Sequence, residues 1–255
     1  MKLKYIMASF LIGSFAFISS CKDDFADINT NPTIVSKPDP RYLFTQALAN
    51  FDGHDYFAWY YDYNNMLRWS QTVASTGGNE NLMTTMSNSG KMGSQVYNVM
   101  NQVNELTYIV NTTLEGEEQA KYTYLKALCQ PLMIYLAMWD TDMYGSMAYT
   151  EAYQARYGGT LTPKYDTQAE LFDLWEKQLK ETVETLANDV TIDGNKVTQQ
   201  SLGSQDIIYQ GDYTKWLKFA NSLRLKLAVR LINEDKDRAL NIVRDAAKYP
   251  IMDGL

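Results

Sequence analysis

The sequence predicts an all-α fold in which successive helices pack as hairpins, with long loops and little or no strand. Apolar residues recur at intervals of three and four over residues 92–110 and 117–139, the spacing of one buried helix face. Residues typical of helix starts, Thr167 and Asp212, precede two later periodic segments. We find no convincing pair of segments with the alternating pattern of adjacent strands.

The first part of the chain predicts four helices. They cover residues 42–50, 59–74, 92–110 and 117–139. Gly77 and Gly78 follow the second helix and are expected to end the helical run. The third and fourth helices have matching apolar faces, so they predict a helical hairpin.

The second part predicts three more helices separated by long loops. Glu170 stands three residues after Thr167 and completes a capping box for a helix that ends near Ala187. Asp212 caps the next helix, and the last covers residues 236–248. Residues 140–164 and 188–210 lack a sustained period, so we expect long loops there, and such loops often carry function.

Residues 1–20 have the layout of a secretory signal peptide, with two early lysines and an apolar run that ends at Ser19 and Ser20. The apolar run is shorter than the about 20 residues of a membrane span. The residues before Cys21 resemble a bacterial lipobox, so we expect Cys21 to carry lipid. The alternative is an ordinary signal peptide that a cysteine happens to follow.

The sequence therefore divides into a signal peptide (1–20), a lipidated tether (21–40) and a helical domain (41–255). The tether is polar and contains Pro32, Pro38 and Pro40. Its first charged residues, Lys22-Asp23-Asp24, resemble the signal that directs lipoproteins of Bacteroidetes to the outer face of the outer membrane.

Composition argues against nucleic-acid binding and against several kinds of catalysis. Removal of residues 1–20 takes two lysines from the 23 basic residues and leaves the 30 acidic ones, so the formal net charge changes from −7 to −9. The basic residues between Lys215 and Arg230 are expected to form a solvated helix face paired with acidic neighbours. His54 is the single histidine and Cys129 is expected in the core, which disfavours most hydrolase and metal chemistry, and we expect no cofactor.

Two carboxylate patterns leave alternatives open. Asp140, Asp142 and Glu151 could converge in the loop after the fourth helix as a general acid and base for glycoside cleavage, although solvated loop carboxylates are far commoner. Asp27, Asn29 and Asn31 resemble the start of a calcium loop, but the glycine and glutamate that should follow are missing.

Several stretches together resemble the SusD/RagB family of outer-membrane lipoproteins, in particular its SusD-like branch. They are residues 21–32, 42–47, 139–152, 162–168 and 211–226. The resemblance implies tetratricopeptide-like helical hairpins, with loops that present a ligand surface. It also implies a lid over a SusC-type TonB-dependent transporter, which captures oligosaccharide or another nutrient at the cell surface and is a binder, not an enzyme.

Family members are about twice this length, so the resemblance implies that residues 41–255 are the N-terminal part of a truncated domain. The stretch that corresponds to known ligand contacts covers residues 69–81, where Trp69, Asn79 and Asn81 are the candidate ligand-binding residues. Two other hypotheses remain at this point, a surface glycoside hydrolase and a helical scaffold lipoprotein without a small ligand.

Overall fold

A computed structural model describes residues 39–51, 67–74 and 94–253, which belong to a unit that spans Asp39–Leu255. The predicted signal peptide, the lipidation site Cys21 and the residues of the possible calcium loop lie outside these ranges, as do His54 and the glycines at 77 and 78.

Within the described ranges the chain is predominantly helical. The helices are α1 (Pro40–Ala49), α2 (Ser94–Thr113), α3 (Gly116–Ala120), α4 (Thr123–Tyr144), α5 (Gln168–Ala187), α6 (Tyr213–Leu231) and α7 (Lys236–Ala246). Single helical turns occur at Leu67–Trp69, Ala155–Tyr157 and Gly203–Gln205. None of the helices described here is long and apolar enough to cross a membrane.

The one pair of strands among the described residues is a minimal hairpin. Strand β1 (Thr191–Ile192) pairs antiparallel with β2 (Asn195–Lys196). Asp193 and Gly194 form the turn with φ angles of 50° and 81°, the backbone that tight two-residue hairpins require. The predicted all-α class with little strand is therefore confirmed.

The six longer helices pack in the order in which they follow one another. Helix α1 packs on α2, α2 on α4, α4 on α5, α5 on α6 and α6 on α7. The core contains the fully buried Leu128 and Cys129 of α4, Trp175 of α5 and Trp216 of α6. Cys129 is a free, buried cysteine as predicted, and burial raises the pKa of its thiol to about 12.

The predicted helix starts are confirmed. The Thr167 side chain accepts from the Glu170 backbone N–H, and the Glu170 carboxylate accepts from the Thr167 backbone N–H, which completes the capping box of α5. Asp212 accepts from the backbone N–H groups of Thr214 and Lys215 at the start of α6.

The predicted helix over residues 117–139 differs from the structure in two places. It is interrupted between α3 and α4, because the loop around Gln199 supplies partners for the backbone there. The Gln199 side chain accepts from the Tyr124 N–H and donates to the Ala120 carbonyl, both at 3.0 Å, while the Gln200 N–H donates to the Lys121 carbonyl at 2.9 Å. These contacts join residues more than 70 positions apart, so local sequence does not encode them.

Helix α4 also continues to Tyr144, five residues past the predicted end. It stops at Gly145, whose φ of 75° leaves the helical region. The helix predicted over residues 59–74 is described from residue 67 onward, and there it ends at Trp69, before the predicted end. It ends because Gln71 has a φ of 59° and the Thr72 N–H donates back to the Leu67 carbonyl.

Pro131 lies in the interior of α4 and is buried. Proline has no N–H, so the Ala127 carbonyl one turn earlier loses its usual helical donor. The hydroxyl of Thr182, on α5, donates to this carbonyl at 3.4 Å. A side chain of the neighbouring helix therefore replaces the missing backbone hydrogen bond.

Replacing Thr182 with valine should lower the free energy of unfolding by about 1 kcal/mol, because valine keeps the shape but leaves the Ala127 carbonyl unpaired. In a Pro131→Ala background the new backbone N–H serves that carbonyl, so the same substitution should have a much smaller effect. Urea unfolding of the four proteins measures the coupling. Equal losses in the two backgrounds would contradict this role for Thr182.

Candidate functional site

Four tyrosines from α2 and from the loop between α4 and α5 form one stacked and one tilted pair, which we call the tyrosine face. The ring centroids of Tyr97 and Tyr153 lie 5.9 Å apart with a 29° angle between the ring planes. Those of Tyr108 and Tyr157 lie 4.7 Å apart at 32°. Tyr97 and Tyr108 are eleven residues apart on α2, which is about three helical turns, so both pairs lie on the same side of the helix.

In each pair one ring is anchored through its hydroxyl and the other is exposed. The Tyr97 hydroxyl donates to the Ala148 carbonyl at 3.0 Å, and the Tyr157 hydroxyl donates to Glu105 at 2.6 Å. Their partners, Tyr153 and Tyr108, are 46% and 45% exposed. The exposed rings are thus supported from one side by rings that are held in place.

The loop that carries Tyr153 has an unusual backbone. Tyr153 has a φ of 57°, a region that non-glycine residues rarely adopt and that raises the energy by about 1 kcal/mol. The side chain of Asn104 on α2 donates to the adjacent Ala152 carbonyl at 3.3 Å. Nearby, a Cβ at Gly159 would lie 2.5 Å from that of Gln154, so the loop closes tightly on itself. These contacts hold Tyr153 in a conformation that its residue type does not favour.

The loop is also fastened at its base by a buried carboxylate. Asp166 accepts hydrogen bonds from the backbone N–H groups of Tyr149 and Thr150 and from the Thr150 hydroxyl. Burial works against ionisation, but these hydrogen bonds and the Lys164 ammonium together hold the pKa of Asp166 below its usual value. The carboxylate is therefore charged at neutral pH and keeps both ends of the loop together.

The charged groups at the tyrosine face neutralise one another. Arg156 lies 3.1 Å from Glu105, and its guanidinium carbon lies 6.0 Å from the centre of the Tyr157 ring. Burial and the hydrogen bond to Glu105 raise the pKa of Tyr157, so its hydroxyl remains a donor. Asn101 and Asn104 lie between the two pairs on the same side of α2, and Asn101 is exposed.

This arrangement suits a ligand that has both apolar faces and hydroxyl groups. Tyrosine rings pack against the C–H faces of sugar rings, while carboxamide side chains both donate and accept hydrogen bonds. A phosphate-rich ligand would need unpaired basic groups, whereas Arg156 is paired with Glu105.

The structure describes one of the three ligand-binding residues predicted from the sequence. Trp69 ends the Leu67–Trp69 turn and is 41% exposed. Asn79 and Asn81 lie outside the described ranges, so their position relative to Trp69 stays a prediction.

The three carboxylates of the hydrolase hypothesis have different surroundings. Asp140 and Asp142 lie on helix α4, not in a loop as predicted, and residues two apart on a helix point in different directions. Asp140 is buried, which raises its pKa to about 7, whereas Asp142 accepts from Arg230 at 2.5 Å. Glu151 accepts from the Lys164 backbone N–H at 3.0 Å.

Three of the five basic residues of α6 are paired with acidic neighbours, as predicted, whereas the Lys226 ammonium lies 4.9 Å from the centre of the Tyr135 ring. Lys218 lies 2.9 Å from Asp253, Arg224 lies 2.6 Å from Asp245, and Arg230 pairs with the Asp142 carboxylate on α4. The expectation of a fully solvated face is wrong for Arg224, which is completely buried because α7 covers it. Across the part of the chain that the structure describes, no cluster of histidine, cysteine and acidic residues could hold a metal ion.

Sequence reasoning missed the tyrosine face, although part of its signal is visible. Tyr97, Asn101, Asn104 and Tyr108 recur at intervals of four, three and four, a second stripe beside the buried apolar one. Their partners come from the loop, where no periodicity indicates which tyrosines will meet α2.

Comparison with known proteins agrees with the helical fold described above. The sequence profile of a SusD-like family described as "Starch-binding associating with outer membrane" matches residues 31–255. The search among curated proteins found no match.

Three solved structures, a chitin-binding protein and two SusD homologues, share the helical fold. A chitin-binding protein aligns with 22% identity and a TM-score of 0.67 over 85% of this chain and 44% of its own. A SusD homologue from Parabacteroides distasonis aligns with 20% identity and a TM-score of 0.62 over 81% and 38% of the respective chains. One from Bacteroides fragilis aligns with 20% identity and a TM-score of 0.57 over 84% and 42%. This chain therefore spans less than half the length of each of these three structures.

Proposed function

Because the chain belongs to the SusD-like family described as starch-binding and associated with the outer membrane, we propose that it binds oligosaccharide at the cell surface and delivers it to a SusC-like TonB-dependent transporter. The family description names a glycan and a membrane, and one structural relative is a chitin-binding protein.

The observation that carries the binding proposal is the tyrosine face. Two exposed tyrosine rings, each supported by a second ring, lie on one side of α2 beside the exposed Asn101 and the half-buried Asn104. Stacking on a sugar face removes apolar surface of both partners from water, and the supporting rings reduce the entropy lost on binding. The strained backbone of Tyr153 is consistent with a role in binding, since such strain concentrates at ligand sites.

Three further elements complete the proposal. Cys21 carries the lipid that holds the protein on the outer membrane, and two acyl chains suffice for stable anchoring. Trp69, Asn79 and Asn81 form an additional ligand contact. We propose that the protein binds glycan without cleaving it, because the three carboxylates have separate surroundings: Asp140 is buried, Asp142 is held by Arg230 and Glu151 by the loop backbone.

Replacing Tyr153 with alanine should weaken oligosaccharide binding about tenfold or more, which corresponds to the loss of one aromatic contact. Calorimetry with maltoheptaose, cellohexaose and chitohexaose measures the change. Tyr42→Ala removes a tyrosine that is 61% exposed on α1 and serves as the matched control, with no expected effect. If both variants bound every probe like the unaltered protein, the tyrosine face would not be the binding site.

The same assays separate the other two hypotheses. A hydrolase would release new reducing ends from the probes, and Asp140→Asn, Asp142→Asn or Glu151→Gln would abolish the release. A scaffold without a small ligand would bind none of the probes. Co-purification with a TonB-dependent transporter from outer membranes tests delivery, and absence of any such partner would argue against it.

A further inference from the structure

The two tyrosine pairs are separated by a defined distance. Tyr97 and Tyr108 are eleven residues apart on α2, so an α-helical rise of 1.5 Å per residue places their Cα atoms about 16 Å apart along the helix axis. This separation exceeds the length of a disaccharide. We therefore expect a disaccharide to contact one pair or the other, and not both.

We propose that the tyrosine face binds a single linear, uncharged oligosaccharide that runs along α2 and stacks on both tyrosine pairs at once. The affinity for such a ligand therefore depends on its length. This inference rests on the proposed glycan-binding function. It adds the shape, the charge and the minimum length of the ligand to that function.

The residues between the pairs support a continuous ligand path. Asn101 and Asn104 lie at four and seven residues after Tyr97, which places them on the same side of α2 as the two pairs. Asn104 already donates one hydrogen bond to the Ala152 carbonyl, which ties the loop to the middle of the path. A sugar chain that spans the pairs passes carboxamide groups that match its hydroxyls.

The charges at the face favour an uncharged ligand. Glu105 is 18% exposed, and it is held by both Arg156 and the Tyr157 hydroxyl. An acidic sugar could pair with Arg156 only by displacing Glu105, and the net negative charge of the protein would repel it. Rings whose substituents are all equatorial offer the widest apolar faces, so the expected class is a linear polymer of such rings.

The pairs are positioned before the ligand arrives. The Tyr97 and Tyr157 hydroxyls are bonded to protein acceptors, and Asp166 fastens the loop that supplies Tyr153 and Tyr157. Two prearranged contacts on one ligand act together, because binding at the first raises the effective concentration of the ligand at the second. Affinity should therefore rise in a step once the ligand is long enough to reach both pairs.

Calorimetric titration of the purified protein with cello- and chito-oligosaccharides, from the disaccharide to the octasaccharide, tests this directly. We expect weak binding of the shortest ligands, a rise of at least about tenfold at the length that spans both pairs, and little further gain beyond it. A gradual increase of affinity with every added sugar, or equal affinity at all lengths, would overturn the inference but leave glycan binding intact. If maltoheptaose alone bound, the inference would be overturned and the proposed function would stand, whereas no binding of these oligosaccharides or of maltoheptaose would overturn both.

Two variants locate the step on the protein. Tyr108→Ala removes the exposed ring of one pair and should abolish the step while ligands too short to span the pairs still bind through the other. Tyr108→Phe keeps the ring and should keep the step, which separates stacking from a general effect on folding. Persistence of the step in Tyr108→Ala would show that the second contact lies elsewhere and would overturn the inference.

A glucuronic-acid oligomer of spanning length should bind more weakly than its neutral counterpart, and equal or tighter binding would contradict the charge argument.

Discussion

Replacing Asp245 with alanine is expected to lower the free energy of unfolding by about 3 kcal/mol, because it leaves the charge of Arg224 buried without its carboxylate partner. Arg224 is fully buried on α6, and its guanidinium donates to Asp245 on α7 at 2.6 Å. Urea unfolding followed by circular dichroism measures the loss.

The matched control removes the acidic partner of an exposed arginine. Asp173→Ala breaks the ion pair with Arg238, in which the Asp173 side chain is 69% exposed, and should change stability by less than about 1 kcal/mol. Adding Arg224→Met to Asp245→Ala removes the unpaired charge and should restore part of the lost stability. Similar losses for Asp245→Ala and Asp173→Ala would contradict the burial argument.

The same pair gives a pH dependence with a definite sign. The Lys248 ammonium and the Arg224 guanidinium hold the pKa of Asp245 well below its usual value. A carboxyl whose pKa is lowered by folding stabilises the protein above its unfolded pKa, about 3.9, and the contribution is lost as the pH falls below that value. The stability difference between the unaltered protein and Asp245→Ala should therefore shrink between pH 7 and pH 3. An unchanged difference would exclude this electrostatic origin.

Replacing Asp206 with alanine is expected to lower the free energy of unfolding by about 4 kcal/mol, because four donors lose their shared acceptor. The carboxylate is fully buried and accepts from the Trp216 indole N–H at 2.6 Å. It also accepts from the backbone N–H groups of Ile208, Tyr209 and Gly211, each at 3.0 Å. The residue thus joins the loop before α6 to the core tryptophan of that helix.

Asp212→Ala provides the control, since Asp212 caps the same helix through two exposed backbone hydrogen bonds and its loss should lower stability by about 1 kcal/mol. Asp206→Asn retains one acceptor oxygen and should fall between the two. Thermal unfolding of the three variants ranks them. If Asp206→Ala were no less stable than Asp212→Ala, the shared acceptor would not organise this loop.

Helices and their caps could be read from the chain because their causes are local. The apolar spacing in α2 and in most of α4 predicted both helices, and the Thr167 and Glu170 capping box gave the start of α5 to the residue. Each of these signals lies within a few residues of the structure it specifies, so no knowledge of the fold is needed to interpret it.

Contacts between distant parts of the chain determine the features that the local sequence pattern did not predict. The break before α4 depends on Gln199, the burial of Arg224 depends on α7, and the tyrosine face exists because the loop returns Tyr153 and Tyr157 to α2. Amino-acid type and spacing predict a helix because its hydrogen bonds join near neighbours. They do not predict which side chains meet across the fold, because that depends on how the packed helices bring remote residues together.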